Sequence, residues 1–247
     1  MIDGANINAI CKREFRSYFA TPLALIFLCA FLILNGFFTF ELGNFFELGE
    51  ADLGSFFVWH PWLYLFIVPA ISMRLWAEER KTGTIELLFT YPVSLFEAMA
   101  GKFLAAWAFL GFALLLTLPI VFTAYYLGDP DGGVIVASYC GSFLLAGACL
   151  AIGIAVSAAT DNQVIAFVIS TSICLALTLL GFDPVVQALH KVFPPTVIEQ
   201  ITNLSFPFHF EAIRRGVLDF RDIFYFLSII GLGLFSGAIV LDKVKAQ

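Results

Sequence analysis

Six stretches of this chain contain no Asp, Glu, Lys or Arg: residues 17–40, 56–73, 103–127, 134–159, 162–182 and 223–241. The shortest has 18 residues and the longest 26. A helix needs about 20 apolar residues to cross a hydrocarbon core of roughly 30 Å, so each stretch is predicted to span a bilayer. None alternates in the manner of a membrane barrel strand. The expected architecture is an all-α polytopic membrane protein with six transmembrane helices, arranged as one domain over residues 1–247. Hydrophobic residues make up 60% of the chain and charged residues 13%. A soluble domain has about 45–50% and about 25%, so the polar surface of a soluble enzyme is missing. A net charge of −6 leaves no basic face, and no nucleic-acid partner is expected.

Residues 1–16 read as an interfacial amphipathic helix. Ile7, Cys11, Phe15 and Tyr18 fall on one side, with Lys12, Arg13 and Arg16 elsewhere. A signal peptide has a shorter apolar core and a small-residue cleavage site, so the first span is expected to be retained. Basic residues set the orientation. With both termini in the cytoplasm, nine Lys and Arg lie inside and four outside. The loop at 41–55 has none and carries Glu41, Glu47, Glu50 and Asp52. The four outside residues (Lys191, Arg214, Arg215 and Arg221) all belong to the long segment 183–222, the kind of segment in which the rule is weakest.

The spans hold no carboxylate, Lys or Arg on which an ion-coupled carrier would depend. Ala100-Gly101-Lys102-Phe103 lacks both the upstream glycine and the hydroxyl of a phosphate-binding loop, so no catalytic residue is expected in this chain. Cys11, Cys29, Cys140, Cys149 and Cys174 form no Cys-x-x-Cys pair and read as small apolar residues. His60, His190 and His209, the first and last flanked by aromatics, read as interfacial residues rather than metal ligands.

The scarce charges gather between the second and third spans. Residues 74–102 hold Arg74, Glu78, Glu79, Arg80, Lys81, Glu86, Glu97 and Lys102. Thr82-Gly83-Thr84 is a turn and cap signal, and Ile85, Leu88 and Phe89 then fall at helical spacing up to Pro92. Ser94-Leu95-Phe96-Glu97 is a capping box opening the next helix. A short amphipathic helix clamped between two spans suits docking into a groove of a partner. In the segment 183–222, Thr196-Val197-Ile198-Glu199 is a second capping box. Pro207 can start another helix that ends with Arg214, Arg215 and Gly216. Two short external or re-entrant helices are therefore expected there, with Phe206, Phe208 and Phe210 as interfacial anchors. Gly233 and Gly237, and Ser138, Ser142 and Ala146, have the spacing of small-residue seams for a dimer or for helix packing.

Several of these runs resemble a known family. They are Pro61-Trp62-Leu63-Tyr64-Leu65-Phe66-Ile67-Val68-Pro69-Ala70-Ile71-Ser72-Met73-Arg74, then Ala77-Glu78-Glu79-Arg80-Lys81-Thr82-Gly83-Thr84-Ile85-Glu86-Leu87-Leu88, with Pro92-Val93-Ser94. Together they resemble permease subunits of ABC-2-type transporters. The gliding-motility-type (GldF-like) branch is the most similar, and the nitrous-oxide-reductase maturation permease is a relative. Lys12-Arg13-Glu14-Phe15 before span one and Phe208-His209-Phe210-Glu211 before span six agree with it. The resemblance implies a bacterial inner-membrane permease, pairing with a second copy and with cytoplasmic ATPase subunits that bind ATP and Mg, with room for an auxiliary membrane or periplasmic subunit. It implies that residues 74–102 hold a coupling helix. Glu78, Glu79 and Arg80 would then lie at the ATPase contact, with Gly83, Thr84, Glu86 and Leu87 shaping the helix. It places Phe208, His209, Glu211, Arg214 and Arg215 in a segment folded back toward the membrane. The alternatives are an autonomous channel or ion-coupled carrier, or a non-transporting membrane anchor for an ATPase and an extracellular module. Substituted-cysteine labelling tests the orientation. Probes at Lys81 and Lys243 are expected to react from the cytoplasmic side only and a probe at Asp129 from the outside only; the reverse pattern contradicts it.

Overall fold

The structure, a computed structural model, describes residues 3–46, 52–86, 93–191 and 193–245. Among these the chain is helical throughout, with no strand. Helix α1 is Gly4–Ala20, capped by the Asp3 side chain, which accepts from the Ala5 N–H. It runs four residues beyond the predicted end of the interfacial helix, so span one does not begin at residue 17. Thr21 is extended (φ −110°, ψ 138°) and Pro22 opens α2, Pro22–Phe37. A residue before proline is pushed out of the helical region, which fixes the break there. Helix α2 then widens into a π turn over Phe38–Leu42.

Helix α3 is Gly54–Phe57, α4 is His60–Ser72 and α5 is Arg74–Thr82. Together they form the second span and its charged extension. The regular hydrogen bonding is interrupted between α4 and α5 at Met73, which keeps helical dihedrals (φ −56°, ψ −27°) and whose N–H donates to the Pro69 carbonyl at 2.9 Å. Ser157 mends the interruption: its hydroxyl accepts from the Trp76 and Ala77 N–H groups and donates to the Met73 carbonyl. Within lipid, backbone groups freed by a break must find such partners. Span three is likewise two helices, α6 (Leu95–Leu115) and α7 (Leu118–Leu127), with Pro119 in the first turn of α7 and the Thr117 hydroxyl donating to the Leu114 carbonyl.

Helix α8, Gly132–Ala159, starts on the Asp131 side chain, and α9, Gln163–Leu179, on that of Asn162. Residues 162–182 do not form one straight span. Beyond Leu179 the chain turns by 71° into α10, Asp183–Leu189. Pro184 stands in the first turn of α10, where its fixed φ favours a helix start. Two further short helices follow, α11 (Pro195–Thr202) and α12 (Phe206–Arg214), and α13 (Phe220–Lys245) closes the fold. Among the described residues the segment thus has three short helices rather than two. The box at Thr196 does not cap α11, which starts two residues earlier, on Pro194, with no side-chain cap. The end of α12 follows the sequence signal, with Gly216 at φ 83°. Among the described residues five helical segments are long and apolar enough to cross a membrane, and six if α9 and α10 count as one bent span.

Helix α8 is the axis of the bundle. It packs along α13, α9, α4, α12, α6 and α5. Small residues allow this: a Cβ on Gly233 of α13 would stand 2.8 Å from the Ala151 backbone, and one on Gly147 would stand 2.8 Å from Trp107 Nε1. Without a hydrophobic driving force between helices in lipid, such close backbone approach supplies van der Waals attraction. Removing the Ser157 hydroxyl (Ser157→Ala) leaves two buried N–H groups and a carbonyl without their partner. We expect a loss of about 1–3 kcal/mol, seen as a lowered unfolding temperature of the detergent-solubilised protein. Ser172→Ala, at an exposed position of α9, should leave it unchanged.

Candidate functional site

The charges between spans two and three are organised around one buried amine. Lys102, on α6, is 3% exposed. Its Nζ donates to Glu79 Oε1 at 2.6 Å and to the Leu75 carbonyl at 3.0 Å. It stands 3.7 Å from Glu14 Oε1 of α1 and 4.9 Å from the centre of the Trp76 ring. A buried charge is tolerated when it is paired and hydrogen-bonded, and the cation–π contact adds to this. One side chain thereby ties α6 to α5 and α1. Arg80 donates to the Ala158 carbonyl at the end of α8 (2.8 Å), while Arg74 and Glu78 pair along α5 at 2.9 Å. Gly83 ends α5 in the left-handed region (φ 72°, ψ 2°), and the chain turns there into helical residues 84–86. Lys81, Thr82, Gly83, Thr84 and Glu86 are exposed, whereas Ile85 is buried.

Ser94 and Glu97 form the predicted capping box in both directions. Glu97 does a second job, accepting from the Asp3 N–H (2.6 Å) and the Asn6 amide (3.3 Å). The start of α1 is therefore fastened to the start of α6.

At the far end of α12, Glu211 accepts from Arg214 Nη2 at 2.7 Å and Arg215 Nε at 2.9 Å. Partial burial raises the Glu211 pKa, but the two guanidinium groups outweigh it and hold the carboxyl below its ordinary value. Arg214 also donates to the Gly54 carbonyl of α3 (3.2 Å). His209 is not interfacial. It is buried, with Nδ1 2.6 Å from Asp222 Oδ1, Nε2 donating to the Asn203 carbonyl at 2.8 Å, and the Tyr225 ring stacked at 3.9 Å. Phe206 and Phe210 are buried as well, and only Phe208 of the three expected anchors is exposed.

A third polar group lies inside the bundle. Asn35 of α2 donates to His60 Nε2 (3.2 Å), His60 Nδ1 meets Ser142 Oγ (2.6 Å), and Tyr64 Oη meets the same oxygen (2.7 Å). His60 is fully buried, so the interfacial reading of this residue is also corrected.

A bundle of apolar helices, braced by buried polar pairs and bearing a charged segment at one end, defines a multi-pass membrane protein. A family model described as "ABC-2 family transporter protein" matches residues 9–215, and the chain belongs to that family. No curated protein matches the chain.

Of the residues singled out from sequence, Glu78, Glu79 and Arg80 fall on α5, Gly83 at its end and Thr84 and Glu86 just beyond. Leu87, with Leu88, Phe89 and Pro92, lies outside the described residues, as do Glu47 and Glu50. The structure brings Glu79 and Arg80 inward onto Lys102 and Ala158. Gly233 and Gly237 face Ala151 and Met99 of the same chain. Sequence reasoning gave no role to Ser157, Trp76, Asn35 or Asp222. The one available signal was Lys102, a lone cation at the lip of an apolar stretch, which implies a partner.

The Glu211 cluster makes a pH prediction. A carboxyl whose folded pKa is lowered stabilises the fold above its unfolded value, near 4.5, and the contribution is lost as the pH falls through the lower folded value. The unfolding temperature of the wild type is expected to drop faster than that of Glu211→Gln below about pH 4.5. Parallel curves contradict the assignment.

Proposed function

We propose that this chain is the membrane-spanning permease subunit of an ATP-binding cassette transporter. A separate cytoplasmic ATPase, holding ATP and Mg, would drive export or mechanical work across the membrane. The chain would sit in a bacterial inner membrane with both termini in the cytoplasm. It would act as a pair, within the gliding-motility-type branch of its family. Family membership supports a permease, and the apolar spans agree with chemistry delegated to another subunit.

The observation that carries the proposal is the brace on α5. A push on an exposed loop dissipates, whereas a push on a segment locked to the bundle moves it. Helix α5 is locked at Ser157 and Ala158 of α8, at Lys102 of α6 and, through Lys102, at Glu14 of α1. Its exposed continuation (Lys81, Thr84, Glu86) is the part free to meet a partner. Glu79 and Arg80 then act by holding the coupling segment in place, and Glu78, beside Arg74, flanks the contact.

Gly83→Pro is the direct test. Proline cannot adopt a positive φ, so the turn that launches the coupling helix is lost. Purified complex carrying Gly83→Pro is expected to retain the fold of the spans but to lose its ATPase chain or at least about tenfold of its ATP-driven activity. Glu79→Lys, which sets two cations together, should do the same. Normal assembly and activity in both variants, or a native complex with no ATPase chain, would overturn the proposal.

A further inference from the structure

His209 stands where three helices meet. It lies on α12. Its Nδ1 is 2.6 Å from Asp222 Oδ1 at the start of α13, and its Nε2 is 2.8 Å from the carbonyl of Asn203, the residue that ends α11. His209 and Asp222 are both buried. The Tyr225 ring stacks on the imidazole at 3.9 Å, and the Tyr225 hydroxyl donates to the Leu204 carbonyl at 2.6 Å. One ring thereby fastens the end of α11 and the body of α12 to the last span. Beside this contact, a groove of about 710 Å³ runs between α8, α9 and α13 over a floor of Ala155, Val156 and Gly233. Leu177, near the end of α9, and Tyr225, near the start of α13, line its mouth together with Leu204.

Both nitrogens of His209 face acceptors. A backbone carbonyl only accepts, so Nε2 carries a proton. The hydrogen bond at Nδ1 needs a second proton, held either by the ring, facing a carboxylate, or by Asp222, facing a neutral ring. In either form the pair holds one proton more than a neutral histidine beside an ionised carboxylate. Without that proton a nitrogen lone pair faces a carboxylate oxygen at 2.6 Å, and Asp222 keeps a buried charge while losing the donor that His209 supplied. The charged groups nearby are engaged elsewhere. On α12, Glu211 is paired with Arg214 and Arg215, and Arg214 also donates to Gly54. On α13, Asp219 accepts from the Arg221 N–H, and both residues are exposed, as is Glu199 of α11. Helices α8 and α9 contain no Asp, Glu, Lys, Arg or His; α8 brings Cys149 near Tyr225.

We propose that the proton shared by His209 and Asp222 is a latch on residues 203–214: it holds this segment against α13 at neutral pH, and its loss at alkaline pH lets the segment part from α13 at the mouth of the groove. Parting admits water, and a hydrated histidine gives up its proton near neutrality. Above that point the closed state binds more protons than the open one, so closure weakens as the pH rises. The buried side chains of Phe206, Phe210 and Ile213 still pack, so the segment loosens while the bundle stays folded. The latch needs no ATPase, and its failure would leave the proposed function standing.

Hydrogen–deuterium exchange of the purified full-length protein in detergent tests this, each rate being divided by the intrinsic peptide rate at the same pH. Between about pH 6 and about pH 9, protection over residues 203–214 is expected to fall about tenfold, the size of one charge-assisted hydrogen bond, while protection in α8 holds. Asp222→Asn keeps a partner for the ring without a titrating carboxyl, because an amide donates to a neutral imidazole and, turned over, accepts from a charged one. Its profile should be flat across the range. His209→Gln donates to Asp222 and cannot titrate, so its profile should be flat too, whatever its starting level. A falling wild-type profile beside a flat one in either variant supports the latch. A flat wild-type profile, a fall that persists in both variants, or a fall shared by α8 would each overturn it.

Discussion

Everything in this bundle depends on how closely helices can approach α8. In lipid, apolar side chains gain nothing by leaving one apolar medium for another, so helices associate through short-range packing and shared hydrogen bonds. Gly147, Ala151 and Gly153 remove the side chains that would keep neighbours apart, and Ser138, Ser142 and Ser157 supply hydroxyls where neighbours need partners. The result grades the spans. About 67% of the window in Gly54–Thr82 and in Gly132–Ala159 is buried, against 22% in Ala24–Leu42 and in Phe220–Lys243. The outer helices keep wide apolar faces such as Phe224, Leu232 and Phe235 for lipid or for another subunit.

Polar chemistry inside the bundle is sparse and almost wholly structural. The His60 group ties α2, α4 and α8 together, His209 and Asp222 tie α12 to α13, and Lys102 ties three helices at the charged end. Each joins elements distant in sequence, and each would be costly to break because a lone buried polar group has no water to turn to. At the charged end, α1, α5 and α6 meet through the one amine of Lys102.

Signals confined to a few neighbouring residues are legible in the sequence itself. The box at Ser94 and Glu97, the stop at Gly216 and the left-handed turn at Gly83 follow from local backbone needs, and all three form. The box at Thr196 fails because Pro194 and Pro195 offer an earlier start with a preset φ, a competing local rule of equal reach. The candidate coupling residues are visible as charges, but their direction is not. Glu79 and Arg80 look solvent-bound in a string of letters, and only the fold turns them onto Lys102 and the end of α8.

By itself the sequence determined the class of the molecule. Charge-free runs of bilayer length admit few outcomes, because the cost of placing a charge or an open backbone in hydrocarbon exceeds what most other interactions can offset. Where the runs break was not read from the sequence, although proline stands in the first turn of α2, α7 and α10. Only the tertiary structure decided which polar residues meet. Ser157 and Trp76 are 81 positions apart, and Tyr64 and Ser142 are 78 apart. Such pairs depend on the rotation of one helix against another, which is set by packing along the whole length of both and is written in no single segment.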